Sequence, residues 1–233
     1  MQHTTKLQIA VQHMIELACS ADRRNNGTYY KEVEIIYGTD ERPIVTNVPN
    51  KLLMLHTIGY FEWISGLPPR FLTVIDEDRV FAIEICKYFR KLAFNVISGN
   101  ISEFDATINA LLNADTMDAS NAGFIAYLPT KYRIDIERAQ VKKQAIACEQ
   151  AYLGEVGKRI TDLDSEIIEV NRSKNYEAWH ITAIIDNKIG SWMSKYPLTP
   201  GPAVIISAKV KERSQHWLYK TIITRLNYVK VQQ

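Results

Sequence analysis

Apolar and polar positions change their spacing along this chain, and the change divides it. Over residues 5–21, Leu7, Ile9, Ala10, Met14, Leu17 and Ala18 fall near one face at helical spacing, which predicts an amphipathic helix. The polar run DRRNNG, Asp22 to Gly27, ends that helix on a glycine. Val33, Ile35 and Tyr37 then alternate with polar residues, and Ile44 and Val45 follow beyond GTDER. That pattern predicts a β-hairpin turning at residues 38–42. Pro49 opens a second helix, NKLLMLHTIGYFEWI, which Gly66-Leu67-Pro68-Pro69 closes. Thr73 and Asp76 resemble a capping box, and Asp76, Glu77 and Asp78 suit a helix N-terminus. The helix they start is expected to reach Ile97 with Val80, Ile83, Ile85, Tyr88, Leu92 and Val96 inward. Ser102 and Asp105 cap SEFDATINALLN, a short helix near Ser120 to Tyr127 stops before Pro129, and KYRIDIERAQVKKQAIACEQAY forms a long charged helix ending near Gly154.

Beyond that point the period becomes two. Five strands are expected, at residues 158–171, 176–186, 188–195, 203–213 and 215–231. Asp186-Asn187 makes a tight turn between the second and third, while the proline and glycine of YPLTPGP forbid a helix between the third and fourth. The fold expected is α+β: a mainly helical part with a β-hairpin over residues 1–148, and a five-stranded antiparallel OB-like barrel, or strongly curved sheet, over residues 149–233.

Charge sharpens the reading. The chain carries a formal +2, yet its last 47 residues hold Lys188, Lys195, Lys209, Lys211, Arg213, Lys220, Arg225 and Lys230 against Glu212 alone. Trp192 and Trp217 lie in that stretch, and Trp179 just before it. Cations interleaved with aromatic rings on strands are what a protein needs to hold a single-stranded nucleic acid, because cations neutralise phosphates and rings stack on unpaired bases. Parity along each strand proposes the face. Lys209, Lys211 and Arg213 are in phase with one another and out of phase with Val204, Ile206, Ala208 and Val210, which predicts a continuous exposed basic row. Lys220, Arg225 and Lys230 on the last strand add to it, and Lys158 and Arg159 extend it at the barrel entry. Trp192, out of phase with Ile189 and Met193, reads as a stacking platform, and His180 as a surface group. On the last strand Trp217 and Tyr219 share parity with Ile223 and Arg225, which leaves the inward face of that strand open. Nothing in these positions tells DNA from RNA, and the same charge would also suit a protein-interaction adaptor that meets an acidic partner.

Other chemistries find little footing. There is no GxxxxGK[ST], GxGxxG, GxSxG or HExxH, and His3, His13, His56, His180 and His216 do not cluster with carboxylates or cysteines in sequence. Asp162, Asp164 and Glu166 alternate on one strand face, which a solvated face explains more simply than a magnesium site. No catalytic residue, metal or cofactor is therefore expected. Cys19, Cys86 and Cys148 are odd in number and far apart, as in reduced core cysteines of an intracellular protein. No apolar run approaches the ~20 residues that span a bilayer, and no signal peptide is read at the N-terminus.

The runs AYLGEVGKR, WHI, SWMS and AKVKERSQHWLYKTIITRLNYV, with the lead-in SEFDATINALLN and GFIAYLP, resemble phage-encoded single-stranded-DNA-binding proteins. Gly154, Val156, Gly157, Lys158, Arg159, Trp192, Lys209, Lys211, Tyr219, Thr221, Thr224 and Arg225 carry the likeness. Within that family the chain looks nearest to the members that serve as RNA polymerase cofactors in lytic podoviruses. The resemblance implies a non-enzymatic protein that coats unwound DNA in the host cytoplasm and assists transcription or replication. Its partners would be single-stranded DNA, a phage RNA polymerase and further copies of itself along the strand.

Overall fold

The computed structural model describes residues 8–37, 43–60, 71–92, 102–173, 175–216 and 219–233. The chain separates into two compact units, Met1–Asp135 and Ile136–Gln233. This boundary falls earlier than the expected junction at 148/149, because the C-terminal part of the last helix belongs with the barrel: Val141, Ala145 and Cys148 share a buried cluster with Ile189, Tyr219 and Ile223.

In the first unit a short strand β1 (Gln8–Ala10) precedes helix α1 (Val11–Arg24) and pairs with β4 (Thr116–Asp118), Ile9 opposite Met117. The helix expected from residue 5 therefore starts later among the described residues. Met14, Leu17 and Ala18 are buried as the spacing predicts, and Gly27, at φ 76°, donates its N–H to Asp22 O to end the turn. The hairpin forms from β2 (Glu34–Tyr37) and β3 (Pro43–Asn47), with Ile36 opposite Ile44; its expected turn at residues 38–42 lies outside the described residues. Helix α2 spans only Asn50–Thr57. It stops well before residue 64 because Gly59 adopts φ 71° and the Gly59 and Tyr60 N–H groups fold back onto His56 O and Leu55 O. The expected stop at residues 66–69 lies outside the described residues.

Helix α3 (Asp76–Leu92) carries the DED at its N-terminus, with Asp78 Oδ2 accepting the Ile75 N–H at 3.0 Å. The capping position is thus two residues later than the Thr73–Asp76 pair proposed. The buried stripe runs through Asp78, Ala82, Ile85, Cys86 and Phe89, whereas Val80 and Ile83 are 58% and 46% exposed, contrary to the expected inward face; the expected extension to Ile97 lies outside the described residues. Buried Asp78 accepts from Arg23 Nε at 2.9 Å, and buried Asp22 takes both Nη atoms of Arg133 at 2.7 and 2.6 Å. Helix α4 (Glu103–Leu112) is capped by Ser102 Oγ, which accepts the Asp105 N–H at 3.1 Å. A 3-10 turn (Ala119–Asn121) leads into α5 (Ala122–Ala147), one helix of 26 residues with Pro129 inside it. Proline in a helix interior costs about 3 kcal/mol; complete burial of Ile125, Ala126 and Leu128 around it offsets that cost, so the break expected there is absent. The three cysteines are buried thiols. Among the described residues no helix is long and apolar enough to cross a membrane.

The second unit is a closed five-stranded OB-like barrel: β5 (Arg159–Arg172), β6 (Trp179–Ile185), β7 (Lys188–Ser194), β8 (Gly201–Gln215) and β9 (Ile222–Gln232), in the order β5-β6-β7-β9-β8. The ladders are antiparallel except between β7 and β9, where Gly190 and Ser191 lie parallel to Thr224 and Arg225. A ring with an odd number of strands cannot alternate direction all the way round, so the all-antiparallel barrel expected from the sequence was not available to it. Asp186 and Asn187, at φ 46° and 54°, form the tight turn between β6 and β7. Inside the barrel pack Ile167, Ile181, Ala183, Ile185, Ile205, Val210 and Leu226. A Cβ at Gly190 would lie 2.4 Å from Ile185 Cδ1, so any side chain there would have to displace that end of Ile185.

Candidate nucleic-acid interface

Residues opposite one another on neighbouring strands share a face of the sheet. Arg159 of β5 lies opposite Lys209 of β8, and Lys209 lies opposite Asn227 of β9. All three are exposed, while the next pair, Ile160 and Ala208, packs toward the core. Lys158 and Lys211 are exposed beside them, and Lys158 O accepts the Val210 N–H at 2.9 Å, which keeps the barrel entry alongside β8. Lys230 follows along β9, opposite Ser207. Arg159 Nη1 donates to Ser207 Oγ at 3.0 Å. Lys158, Lys209, Lys211 and Lys230 have no ion-pair partner among the described residues. Cβ atoms of directly opposed residues stand roughly 4.5–5.5 Å apart, and like charges so placed repel.

Lys209, Lys211 and Arg213 are all exposed, as the spacing predicts, but the ladder beneath them is irregular. The β8–β9 ladder shifts register between Ile205 and Ser207, between Ser207 and Lys209, and between Val210 and Glu212. Each bulge resets which side chains point out. Val204 and Ile206 are outward, at 38% and 42% exposure, and Ser207 and Ala208 are both buried, so the inward phase assigned to Val204 and Ile206 is corrected. Beyond the last bulge Glu212 sits opposite Arg225 and accepts from its Nη1 at 2.7 Å, which neutralises Arg225. Arg213 lies opposite buried Thr224, donates from Nη2 to Gly154 O at 2.9 Å and stands 5.1 Å from the Tyr152 ring centre. Lys220 is exposed at φ 60° beyond the far end of the ladder from Lys230. The structure therefore groups Lys158, Arg159, Lys209, Lys211 and Lys230, and sets Arg213, Lys220 and Arg225 apart.

The aromatic assignments change more. Trp192 is 5% exposed within the barrel core, opposite Ile181. Parity against Ile189 misled because both faces of β7 are covered, the inner by the barrel core and the outer by the 141–148 cluster that buries Ile189. Tyr219 is also 5% exposed: its hydroxyl donates to Glu169 Oε1 at 3.2 Å and its ring stacks on His216 at 4.3 Å. Burial first, then the Glu169 charge, pushes the Tyr219 hydroxyl up to about 12. Neither ring is free to stack on a base. His180 is half-buried on the same outer face as Thr182, and burial lowers its pKa, as it lowers that of His216. Trp217 lies outside the described residues.

The ring that does border the cations is Tyr228. It is 76% exposed and sits at φ 53°, beside Asn227, in the bulge between the Lys209–Asn227 and Ser207–Lys230 pairs. Sequence reasoning missed it because LNYVKV offers no alternation that singles it out. On β5 the outward side chains change sign: Asp164 opposite Val204 and Glu166 opposite Pro202 are exposed and acidic, as is Asp162 at φ 53°. Among the described residues no three His, Cys, Asp or Glu side chains converge on a metal-sized space. No family model, curated protein or solved structure matches the chain.

Proposed function

We propose that the barrel is a non-enzymatic single-stranded-DNA-binding module whose contact face is formed by Lys158, Arg159, Lys209, Lys211 and Lys230, with Tyr228 as the stacking ring. The observation that carries this reading is Arg159 placed directly opposite Lys209, with uncompensated lysines on both sides. Apart from the Arg159–Ser207 hydrogen bond such a cluster contributes little to the fold, and an anion lying across it would relieve the repulsion. A phosphate backbone meets that need, and one exposed ring beside it suits an unpaired base. The likeness of the 151–159 and 208–229 segments to phage single-strand binders supports DNA as the polymer, and with it a role as cofactor of a phage RNA polymerase or in replication.

The test is titration of labelled oligo-dT, its RNA counterpart and the matching duplex at several salt concentrations. Single-strand affinity should fall steeply with salt. Each phosphate contact on a single strand contributes about 0.7 to the log–log slope, so Lys209→Ala with Lys211→Ala should reduce the slope by roughly 1.4. An unchanged slope would show that this face does not carry the strand. Equal affinity for duplex would remove the stacking role, and tighter binding of RNA would reassign the polymer.

A further inference from the structure

The helical unit holds a surface that the barrel reading does not use. Tyr29, Lys31, Lys51, Phe104, Phe124 and Tyr127 line a cavity of about 610 Å³. That volume falls inside the ~300–1,000 Å³ of small-molecule sites. Its aromatic rings form a connected series: Tyr29 to Tyr127 at 5.0 Å, Tyr127 to Phe104 at 5.8 Å, and Phe104 to Phe124 at 5.9 Å. The planes are tilted at 59°, 79° and 42°, so neighbouring rings meet edge-on or tilted instead of stacked, and all four line the cavity. Phe124, the end of the series, is 37% exposed although every neighbour in the series is at least half-buried. Burying that ring against a flat ligand would be favourable.

The charge in the wall has one sign. Both charged lining residues are lysines, and neither has an ion-pair partner among the described residues. Lys31 is exposed, and half-buried Lys51 runs its stem past Gly123, whose missing Cβ would stand 3.7 Å from Lys51 Cδ. A wholly apolar ligand would leave the two ammonium groups unmatched, and a simple anion would leave the rings unused. Rings and cations together suit a flat heteroaromatic group that carries a phosphate.

We propose that this cavity binds a nucleotide, with the base among Tyr29, Phe104, Phe124 and Tyr127 and the phosphate on Lys31 and Lys51. A free mononucleotide and one unit of a single strand offer the same chemistry. The inference does not rest on the barrel, and the two surfaces fail separately.

Photo-cross-linking of the full chain distinguishes the sources. One probe is 5-iododeoxyuridine monophosphate and the other an oligo-dT carrying a single 5-iododeoxyuridine, each with adducts mapped by mass spectrometry. Adducts are expected on Tyr29, Phe104, Phe124 or Tyr127. Labelling by the mononucleotide identifies a nucleotide pocket, and labelling by the oligomer alone identifies a strand contact. Lys31→Glu with Lys51→Glu should abolish these adducts, and Lys31→Gln with Lys51→Gln should weaken them, while Lys209→Ala with Lys211→Ala should leave mononucleotide adducts unchanged. Phe124→Ala should weaken binding about 5- to 150-fold, the range of one stacked base, with the far-ultraviolet circular dichroism of each variant confirming its fold. No adduct at these rings with either probe, or adducts insensitive to charge reversal at Lys31 and Lys51, would overturn the proposal. If barrel adducts at Tyr228 are absent while these persist, the barrel reading fails and this one stands.

Discussion

Tyr228 offers the sharpest separation of a binding role from a structural one. It holds φ 53° in a β-bulge, a conformation that a bulky L-residue rarely adopts, and its ring is 76% exposed. The left-handed region costs a non-glycine residue about 1–2 kcal/mol. Glycine removes that cost but loses about 0.5–1 kcal/mol through the greater freedom of the unfolded chain. Tyr228→Gly should therefore leave stability unchanged or raise it by up to about 1.5 kcal/mol, read as the urea midpoint. A ring kept in that conformation without contributing to packing points to a use outside the fold. If it stacks on a base, its removal costs about 1–3 kcal/mol of binding, a ~5- to 150-fold loss of affinity for oligo-dT. Tyr228→Phe should bind close to the parent, since stacking needs the ring and not the hydroxyl. Tyr228→Ala should bind as poorly as the glycine variant but be less stable, because it keeps the strain. Gained stability with unchanged affinity in Tyr228→Gly would refute the assignment.

Trp192→Ala should destabilise the barrel by about 3–5 kcal/mol, whereas Trp192→Phe should fold and bind oligo-dT as the parent does, checked by denaturation and anisotropy; a specific binding defect in the phenylalanine variant would return Trp192 to the interface. Burial lowers the pKa of His180 and His216, and the Tyr219 N–H donates to His216 Nδ1 at 3.2 Å, a bond that protonation of Nδ1 removes. The unfolded chain then binds more protons just below the ordinary histidine pKa of about 6.5, so their contribution is complete above that pH and is lost as pH falls through the lowered values. Urea midpoints between pH 7.5 and 4.5 should fall less steeply for His180→Gln than for the parent. Asp22→Asn should cost about 2 kcal/mol, less than the ~3–5 kcal/mol of a fully buried pair because the Arg133 side chain is 36% exposed; its unfolding midpoint checks this.

The parts of the fold set by local chemistry were legible in the sequence. Positive-φ backbone at Asp186 and Asn187 gives the β6–β7 turn, Ser102 caps α4, and the stripe of Met14, Leu17 and Ala18 finds the core of α1. What failed were inferences in which tertiary contact outweighs a local rule. Pro129 lies inside a helix whose buried neighbours outweigh the lost hydrogen bond. Two covered faces of β7 bury Trp192 and Ile189 together, so alternation carried no information about which of them meets solvent. In α3 the polar Asp78 lies in the buried stripe and the apolar Val80 outside it, because Arg23 and the Ile75 N–H satisfy the carboxylate.

The bulges of β8 and β9 matter most, because they decide the electrostatics of the candidate interface. Without them Lys209, Lys211 and Arg213 would form one regular row. With them, Lys209 keeps its place against Arg159 and Lys211 stays exposed beside it, while Glu212 comes opposite Arg225 and neutralises it and Arg213 lies opposite Thr224. On β5 the carboxylates of Asp164 and Glu166 bound the same patch on the other side. On the proposed function, a strand that follows positive charge would cross β5, β8 and β9 at the Arg159–Lys209–Asn227 level, beside Tyr228, instead of running along β5. Register shifts thus convert a basic segment of sequence into a short, bounded cluster of cations beside one exposed ring.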